Sequence, residues 1–369
     1  MHLFIVNIWM IKNILVIIQR SNGDVLFSLT LINALYEFYD GPEIDLLIND
    51  DTYPLAKLLP NINNIHQFSY KKKRDTRYKQ EKLLIATLFR KYDLSINLTA
   101  SDRSVIYALL ASKNSISAIE KKYKKSWWKR ILLNKYYDFD VNKHILLNNL
   151  MPLRLLKIDH RNIQSTPKNS SHVLNKVYQE LLDKGIKNFI IFHPSAQYQY
   201  KIYPNKLRSK LLESLNTLGI PILITGSKNK IDSMIKKEIP KANNIYNLIG
   251  STSLEEYFAL SQLSLAYIGM DTLNMHIAAS QNKPIFAIFG STRLSMWSPW
   301  SNTLQKGAKD NKPIQSYDNI TIFQSSLPCE VCGRVGCGSN HGKNELPYAI
   351  SPEEIFKEVE KWFLMNKKT

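Results

Sequence analysis

The chain has 369 residues, enough for two domains, and its 44% hydrophobic and 22% charged residues mark a soluble globular protein with a full core rather than a disordered one. Forty-nine Lys and Arg against 31 Asp and Glu leave a net charge of +18, an excess that asks for a nucleic acid, an anionic membrane or a phosphorylated substrate. All three Cys fall between 329 and 337, so no disulfide framework spans the fold, and no stretch is long and apolar enough to span a bilayer. The first predicted element is the apolar "NILVIIQ" (13–19), a buried strand. The preceding "MHLFIVNIWMIK" lacks the basic start of a signal peptide and is broken by Asn7 and Lys12. Met10 offers an alternative start, with the first nine residues as an extension, and a cytoplasmic protein is expected.

An amphipathic helix (24–39), a strand "EIDLLIN" (43–49), a short helix near 52–59, a strand (64–69), a helix (76–91) and a strand "YDLSINL" (92–98) follow. Short apolar strands alternating with helices predict a parallel sheet of βαβ units. From 120 to 160 the pattern turns helical, basic and irregular. Basic residues concentrate at 70–82 and 120–130, where Trp127 and Trp128 mix with Lys in a manner suited to an anionic lipid interface; solvated helix faces are the plainer reading of each cluster. "DHRNIQSTPKNSSH" (159–172) is polar, with Pro and Ser, and reads as a linker.

Alternation then restarts. Strands are predicted at 188–196, 220–226, 244–250, 263–269 and 284–290, with helices at 204–218, 228–238, 253–262 and 271–281. The chain ends in a helix (351–365) with Ser351 as N-cap and Pro352 at its first position. Two α/β domains with a cleft between them is the economical architecture: ligands in such sheets sit at the carboxyl ends of strands, against helix N-termini.

Four strand ends carry unusual polar residues. In "QRSNGDV" (19–25), Gly23 allows close backbone approach, and Asp24 is either a helix cap or a general base. In "HPSAQYQYKIYP" (193–204), Ser195 and Lys201 suit a phosphate group, against the alternative of an ordinary surface loop. "LITGSKNKID" (223–232) offers Gly226 and Ser227 to a ribose or base edge, or is a plain turn. In "GMDTLNMHIAAS" (269–280), Asp271 and Thr272 open a helix, and Thr272 and His276, four apart, share one face. A helix N-terminus attracts a diphosphate, which explains a polar first turn on a helix that otherwise runs into the core. The competing reading makes His276 a satisfied core histidine.

At these residues the chain resembles glycosyltransferase family 9, the ADP-heptose:lipopolysaccharide heptosyltransferases. "ILVIIQRSNGDVLFSLTLINAL" resembles the family's Arg-x-x-x-Gly-Asp signature, and "DTLNMHIAASQNKPIFAIFGST" its Asp-[Ser/Thr]-x-x-x-His-x-Ala-[Ala/Ser] signature and following strand. "FHPSAQYQYKIYP", "ILITGS", "LIGSTSLEEYFALSQ" and "MWSPW" fall in the family's order, so the resemblance spans about 13–365 and is weak over 100–185. It implies a GT-B fold: a Rossmann-like acceptor domain (1–165), a Rossmann-like donor domain (173–350) facing it across a central cleft, and a last helix (351–369) returning to the first. It implies inverting transfer of heptose from ADP-heptose to the lipopolysaccharide inner core, at the inner face of the cytoplasmic membrane, without a cofactor or metal. In the roles it implies, Asp24 is the base, Arg20, Ser21 and Gly23 are on the acceptor side, and Ser195 and Lys201 hold the diphosphate. Gly226 and Ser227 are on the nucleoside side, and Asp271, Thr272, Leu273 and His276 line the diphosphate and sugar. Lys228 and Asn229 stand where some members carry a ribose-binding Glu, which leaves another nucleotide sugar or acceptor open.

Two motifs point elsewhere. "DFD" (138–140) imitates an Asp-x-Asp metal motif but is read as a solvated turn, because no strand is predicted before it. Cys329, Cys332, Cys337 and His341 have zinc-knuckle spacing, with a reduced, incidental Cys loop preferred over zinc. Of the rival functions, nucleic-acid binding rests on charge alone and is not expected. A dinucleotide oxidoreductase lacks Gly-x-Gly-x-x-Gly after the first strand, and an inactive family member is disfavoured by the retained Asp24, Lys201, Asp271 and His276.

Overall fold

The computed structural model describes residues 11–160, 167, 169–290, 292–325 and 349–367. The chain divides into two compact units, Met1–Lys168 and Asn169–Thr369. The first runs β1 (Asn13–Ile18), α1 (Asn22–Leu26), α2 (Leu29–Phe38), β2 (Glu43–Asn49), α3 (Tyr53–Ala56), β3 (Ile65–Phe68), α4 (Arg74–Leu88) and β4 (Leu94–Asn97). It continues with α5 (Asp102–Ala111), β5 (Ser115–Ile119), α6 (Tyr123–Leu132), β6 (Lys135–Asp138), α7 (Ile145–Asn149) and α8 (Met151–Leu156). The strands form one parallel sheet in the order β3-β2-β1-β4-β5-β6. Its central strand reads as a continuous apolar run, because a parallel sheet covered on both faces excludes water from Ile14 to Ile18 alike.

Two strands here escape the apolar pattern. β5 alternates Ser with Ile, yet is wholly buried, because its hydroxyls are satisfied internally: Asn97 donates to the Ser117 hydroxyl at 2.8 Å and to the Thr99 carbonyl at 2.6 Å. β6 is a sheet edge with only Tyr137 buried, so Lys, Tyr and Asp serve as well as Val or Ile. The irregular helical reading of 120–160 is corrected to that extent.

The second unit runs α9 (Ser171–Asp183), β7 (Ile190–His193), α10 (Asn205–Asn216), β8 (Ile222–Ile224), α11 (Lys230–Glu238), β9 (Ile245–Asn247), α12 (Leu254–Leu263) and β10 (Ala266–Met270). Then come α13 (Leu273–Ser280), β11 (Ile285–Phe289), α14 (Leu294–Trp297), β12 (Ile314–Tyr317), β13 (Ile320–Gln324) and α15 (Pro352–Asn366). Its sheet, in the order β12-β13-β11-β10-β7-β8-β9, is parallel except for the β12–β13 hairpin. The polar stretch read as a linker through 172 instead gives way to α9 at Ser171, an amphipathic helix that packs on α12.

Counted from one edge, both sheets repeat a single scheme. β3-β2-β1 then β4-β5-β6 matches β9-β8-β7 then β10-β11-β13. The order reverses between β1 and β4, and again between β7 and β10. The helices leaving such a pair of strands diverge, so a crevice opens at their carboxyl ends.

α15 is capped as its sequence predicts: the Ser351 hydroxyl accepts from the N–H groups of Glu353 and Glu354 at 3.1 and 3.3 Å, and Pro352 occupies the first position. Ile355 and Val359 are buried in the core of the second unit, against α10, where the Lys210–Glu353 ion pair adds a surface contact. That packing follows from the facing apolar rows of the two helices.

Candidate functional site

In the first unit the polar cluster sits where β1 ends, at the point of reversal. Asp24 is the third residue of α1 and is 2% exposed. The Ser21 hydroxyl donates to its Oδ2 at 2.6 Å, and the Ser21 N–H donates to the same oxygen at 3.1 Å, completing a capping box. The Arg20 Nε lies 2.7 Å from Oδ1, and its guanidinium stacks 4.6 Å over the Phe139 ring. Burial, the largest effect, pushes the Asp24 carboxyl above its ordinary 3.8, with Arg20 and Ser21 partly offsetting it. The helix-cap and functional readings of Asp24 are therefore compatible. Arg20 and Ser21, expected on the acceptor side, here grip the Asp24 carboxylate itself. Gly23 is buried within α1.

In the second unit the cluster again sits at the reversal, where β7 and β10 pair and diverge. Their register sets Gly269 opposite His193, so close that a Cβ on Gly269 would lie 2.3 Å from the His193 carbonyl oxygen. Only glycine lets these strands meet there. Beyond them the Lys201 Nζ, on the turn after β7, is 3.4 Å from Asp271 Oδ2, on the turn after β10. Burial raises the Asp271 carboxyl above its ordinary 3.8, Lys201 offsetting it most. Thr272 is the N-cap of α13 without a side-chain capping bond, Leu273 is its first residue, and His276 is buried one turn on, 6.2 Å from the Trp297 ring. The first turn of α13 thus presents backbone N–H groups beside a lysine, an arrangement that holds phosphate oxygens.

Ser195 and Ser227 also come together, on a residue the sequence reading passed over. Asp232, 2% exposed, accepts from the Ser195 hydroxyl, from the Ser227 N–H at 2.5 Å and from the Ser227 hydroxyl at 2.7 Å. One carboxylate therefore ties the loop after β7 to the turn after β8. The Ser195 proton is committed to it, so Ser195 shapes its loop rather than donating outward. Gly226 packs tightly, since a Cβ would meet Ile249 at 3.2 Å and Asp232 at 3.3 Å. Asn229 caps α11, accepting from the Asp232 N–H at 2.8 Å. That Asn-x-x-Asp spacing was the available signal, being a capping pattern at a helix start. His193 was missed as well. Its Nδ1 meets the Thr225 hydroxyl and the Asn274 amide, each at 3.0 Å, and burial pushes its pKa down to about 4, so the ring is neutral and anchors α13 to the sheet.

The "DFD" segment does follow a strand, β6, contrary to expectation. Its carboxylates are nonetheless engaged: Asp138 pairs with Arg130 at 2.6 Å, and Asp140 accepts from the Asn142 N–H at 3.0 Å. Cys329, Cys332, Cys337 and His341 lie outside the described residues.

The family model for glycosyltransferase family 9 (heptosyltransferase) matches residues 83–322. Lipopolysaccharide heptosyltransferase 3 of Escherichia coli strain K12 is 28% identical over 325 residues, covering 85% of this chain and 93% of that protein. Among solved structures, a glycosyl transferase family 9 protein from Veillonella parvula superposes with a TM-score of 0.73 at 16% identity, covering 96% of this chain and 97% of that one. An E. coli heptosyltransferase with ADP-2-deoxy-2-fluoro heptose superposes with a TM-score of 0.70 at 13% identity, covering 95% and 99%. These likenesses show the fold, GT-B.

Proposed function

The chain belongs to glycosyltransferase family 9, and from that premise we propose that it transfers heptose from ADP-heptose to a sugar hydroxyl of the lipopolysaccharide core, with inversion, at the cytoplasmic membrane surface. The observation that carries the donor half is the Lys201–Asp271 pair, set at the strand reversal beside the first turn of α13. A diphosphate entering there competes with Asp271 for Lys201 and takes up the N–H groups of α13. When the bond from the anomeric carbon to the diphosphate breaks, the charge left on ADP meets a fixed ammonium and fixed N–H dipoles. Asp232 sets the two loops that border this pocket, and His193 holds α13 in register.

Asp24 is the base. Its carboxylate takes the proton of the acceptor hydroxyl as that oxygen attacks the anomeric carbon from the face opposite the departing diphosphate. A carboxyl raised above its ordinary pKa is a better proton acceptor, and Arg20 keeps it ionised and aimed. Lys228 is exposed and Asn229 is spent on capping α11, so neither supports recognition of the ribose. The nucleobase therefore has to be fixed by experiment. The test is calorimetric titration with ADP-heptose, ADP-glucose, UDP-glucose and GDP-mannose. Selective binding of ADP-heptose supports the reading; preference for a UDP- or GDP-sugar keeps the family and overturns the donor.

A further inference from the structure

α6 presents an apolar line outward. Tyr123, Trp127 and Ile131, one per turn, are 68%, 51% and 70% exposed, and Leu132 beside them is 58% exposed. The helix is anchored by its other side: Leu133 and Trp128 pack with Val105, Leu109 and Ile119, and Lys129 is fully buried on Asp102, Glu120 and the Ala100 carbonyl. Lys129 is thus spent on Asp102 and Glu120 and takes no part in the exposed face. Lys121, Lys122, Lys124 and Lys125, around the start of α6, are exposed and make no ion pair among the described residues. α4, packed beside α5 on the same face of the sheet, repeats the theme, with exposed Lys72, Lys73, Lys79 and Lys82 around Tyr78 and Leu83, each 70% exposed.

The position of these lysines follows from topology. β1, β3 and β5 run parallel, so the segments leaving their carboxyl ends lie along one edge of the sheet. Arg20 and Asp24 leave β1 on that edge, Lys71–Arg74 follow β3 on it, and Lys121–Lys125 follow β5 on it.

We propose that the exposed face of α6, with Tyr123, Trp127 and Ile131 inserted among headgroups and Lys121, Lys122, Lys124 and Lys125 against their phosphates, docks this protein on an anionic lipid bilayer. This deepens the proposed function and rests on its reading of a lipid-linked acceptor. Interleaved lysine and aromatic residues suit the interfacial layer, where an amphipathic ring sits between acyl chains and water. A nucleic acid would use the lysines and the rings but has no use for Ile131 and Leu132, whose aliphatic side chains do not stack on bases. Among the described residues no helix is long and apolar enough to cross a membrane, so the contact is with its surface. Docking through α6 brings the Asp24 edge of the first unit down to the level at which a membrane-anchored sugar is presented.

The test is sedimentation of the full-length protein with sucrose-loaded vesicles free of acceptor, of phosphatidylcholine alone or with phosphatidylglycerol. The protein is expected to bind the anionic vesicles and to be released by salt. Trp127→Ser with Ile131→Ser, and separately Lys122→Gln with Lys124→Gln and Lys125→Gln, are expected to weaken that binding by about tenfold or more. Unchanged melting temperature and unchanged ADP-heptose titration certify both variants as folded. Failure of the wild type to bind anionic vesicles overturns the proposal, as do variants that bind like the wild type. Binding to RNA in place of vesicles also overturns it. Vesicle binding by a protein that transfers no sugar to delipidated core oligosaccharide leaves the surface standing and removes the proposed function instead.

Discussion

Lys201 and Asp271 stand 3.4 Å apart across the ends of β7 and β10, two adjacent parallel strands between which the direction of sheet growth reverses. Replacing Lys201 with Ala removes the one ammonium paired at that point. A charge-assisted hydrogen bond contributes about 1.5–3 kcal/mol, so the ADP dissociation constant should rise by roughly 10- to 100-fold. Calorimetry on the folded variant reads this directly, and an unchanged constant would remove Lys201 from the donor site.

Asp24→Asn keeps the shape and the capping capacity of the residue and deletes its basicity. Turnover should fall by roughly 10²- to 10⁴-fold while ADP-heptose binding stays as in the wild type. Single-turnover assays beside a donor titration separate the two. Retained turnover would mean that another group takes the proton.

Arg20 lowers the Asp24 pKa against the upward push of burial. Arg20→Gln removes the lowering charge, so the pKa of Asp24 should rise further. Since the base works only when ionised, the acidic limb of the kcat/KM profile should move to higher pH, with the loss greatest at low pH and smallest above neutrality. A uniform loss at every pH would instead mark Arg20 as an acceptor contact.

Asp232 gathers the Ser195 loop and the Ser227 turn. Asp232→Ala takes the carboxylate from the donors of Ser195, Ser227 and Asn229 and should cost about 1–3 kcal/mol of stability in urea unfolding. It should also weaken ADP binding, although Asp232 touches no ligand in the proposed pocket. Full donor affinity in the variant would show that the loops keep their shape unaided.

Gly269→Ala places a methyl group against the His193 carbonyl. The strands must part to admit it, at a cost of about 3 kcal/mol, read as a lowered urea midpoint. The same parting shifts His193 and Asn274, so donor affinity should fall with stability.

Most of the alternation was legible in the sequence because buried parallel strands leave uninterrupted apolar runs, as in Ile14–Ile18 and Ile285–Phe289. β5 and β6 were not legible. In β5 the serines are hidden by hydrogen bonds made within the sheet layer, and β6 as an edge needs few apolar residues. The β12–β13 hairpin was likewise unmarked, its turn being carried by Asp318 in the left-handed conformation rather than by a glycine. Asp24 and Asp271 could be picked out since each follows closely on an apolar strand, and Lys201 because it closes a small-residue loop leaving another. For Asp232 the Asn229-x-x-Asp232 spacing marked a helix start but not the two loops it ties, because an acid in the first turn of a helix is ordinary until its partners are known. The destination of α15 depends on which apolar row faces Ile355 and Val359, and an amphipathic helix alone does not name its partner.

The outward line of Tyr123, Trp127 and Ile131 also governs how the protein behaves in a tube without lipid. Molecules carrying +18 repel one another at low ionic strength, and that repulsion keeps the lines apart. Added salt shortens the reach of the repulsion to about 8 Å at physiological strength and leaves the apolar attraction intact. Solubility should therefore decline as salt is raised, the reverse of ordinary salting-in, and a mild detergent should restore it. Preparations stored in concentrated salt are the ones that will cloud.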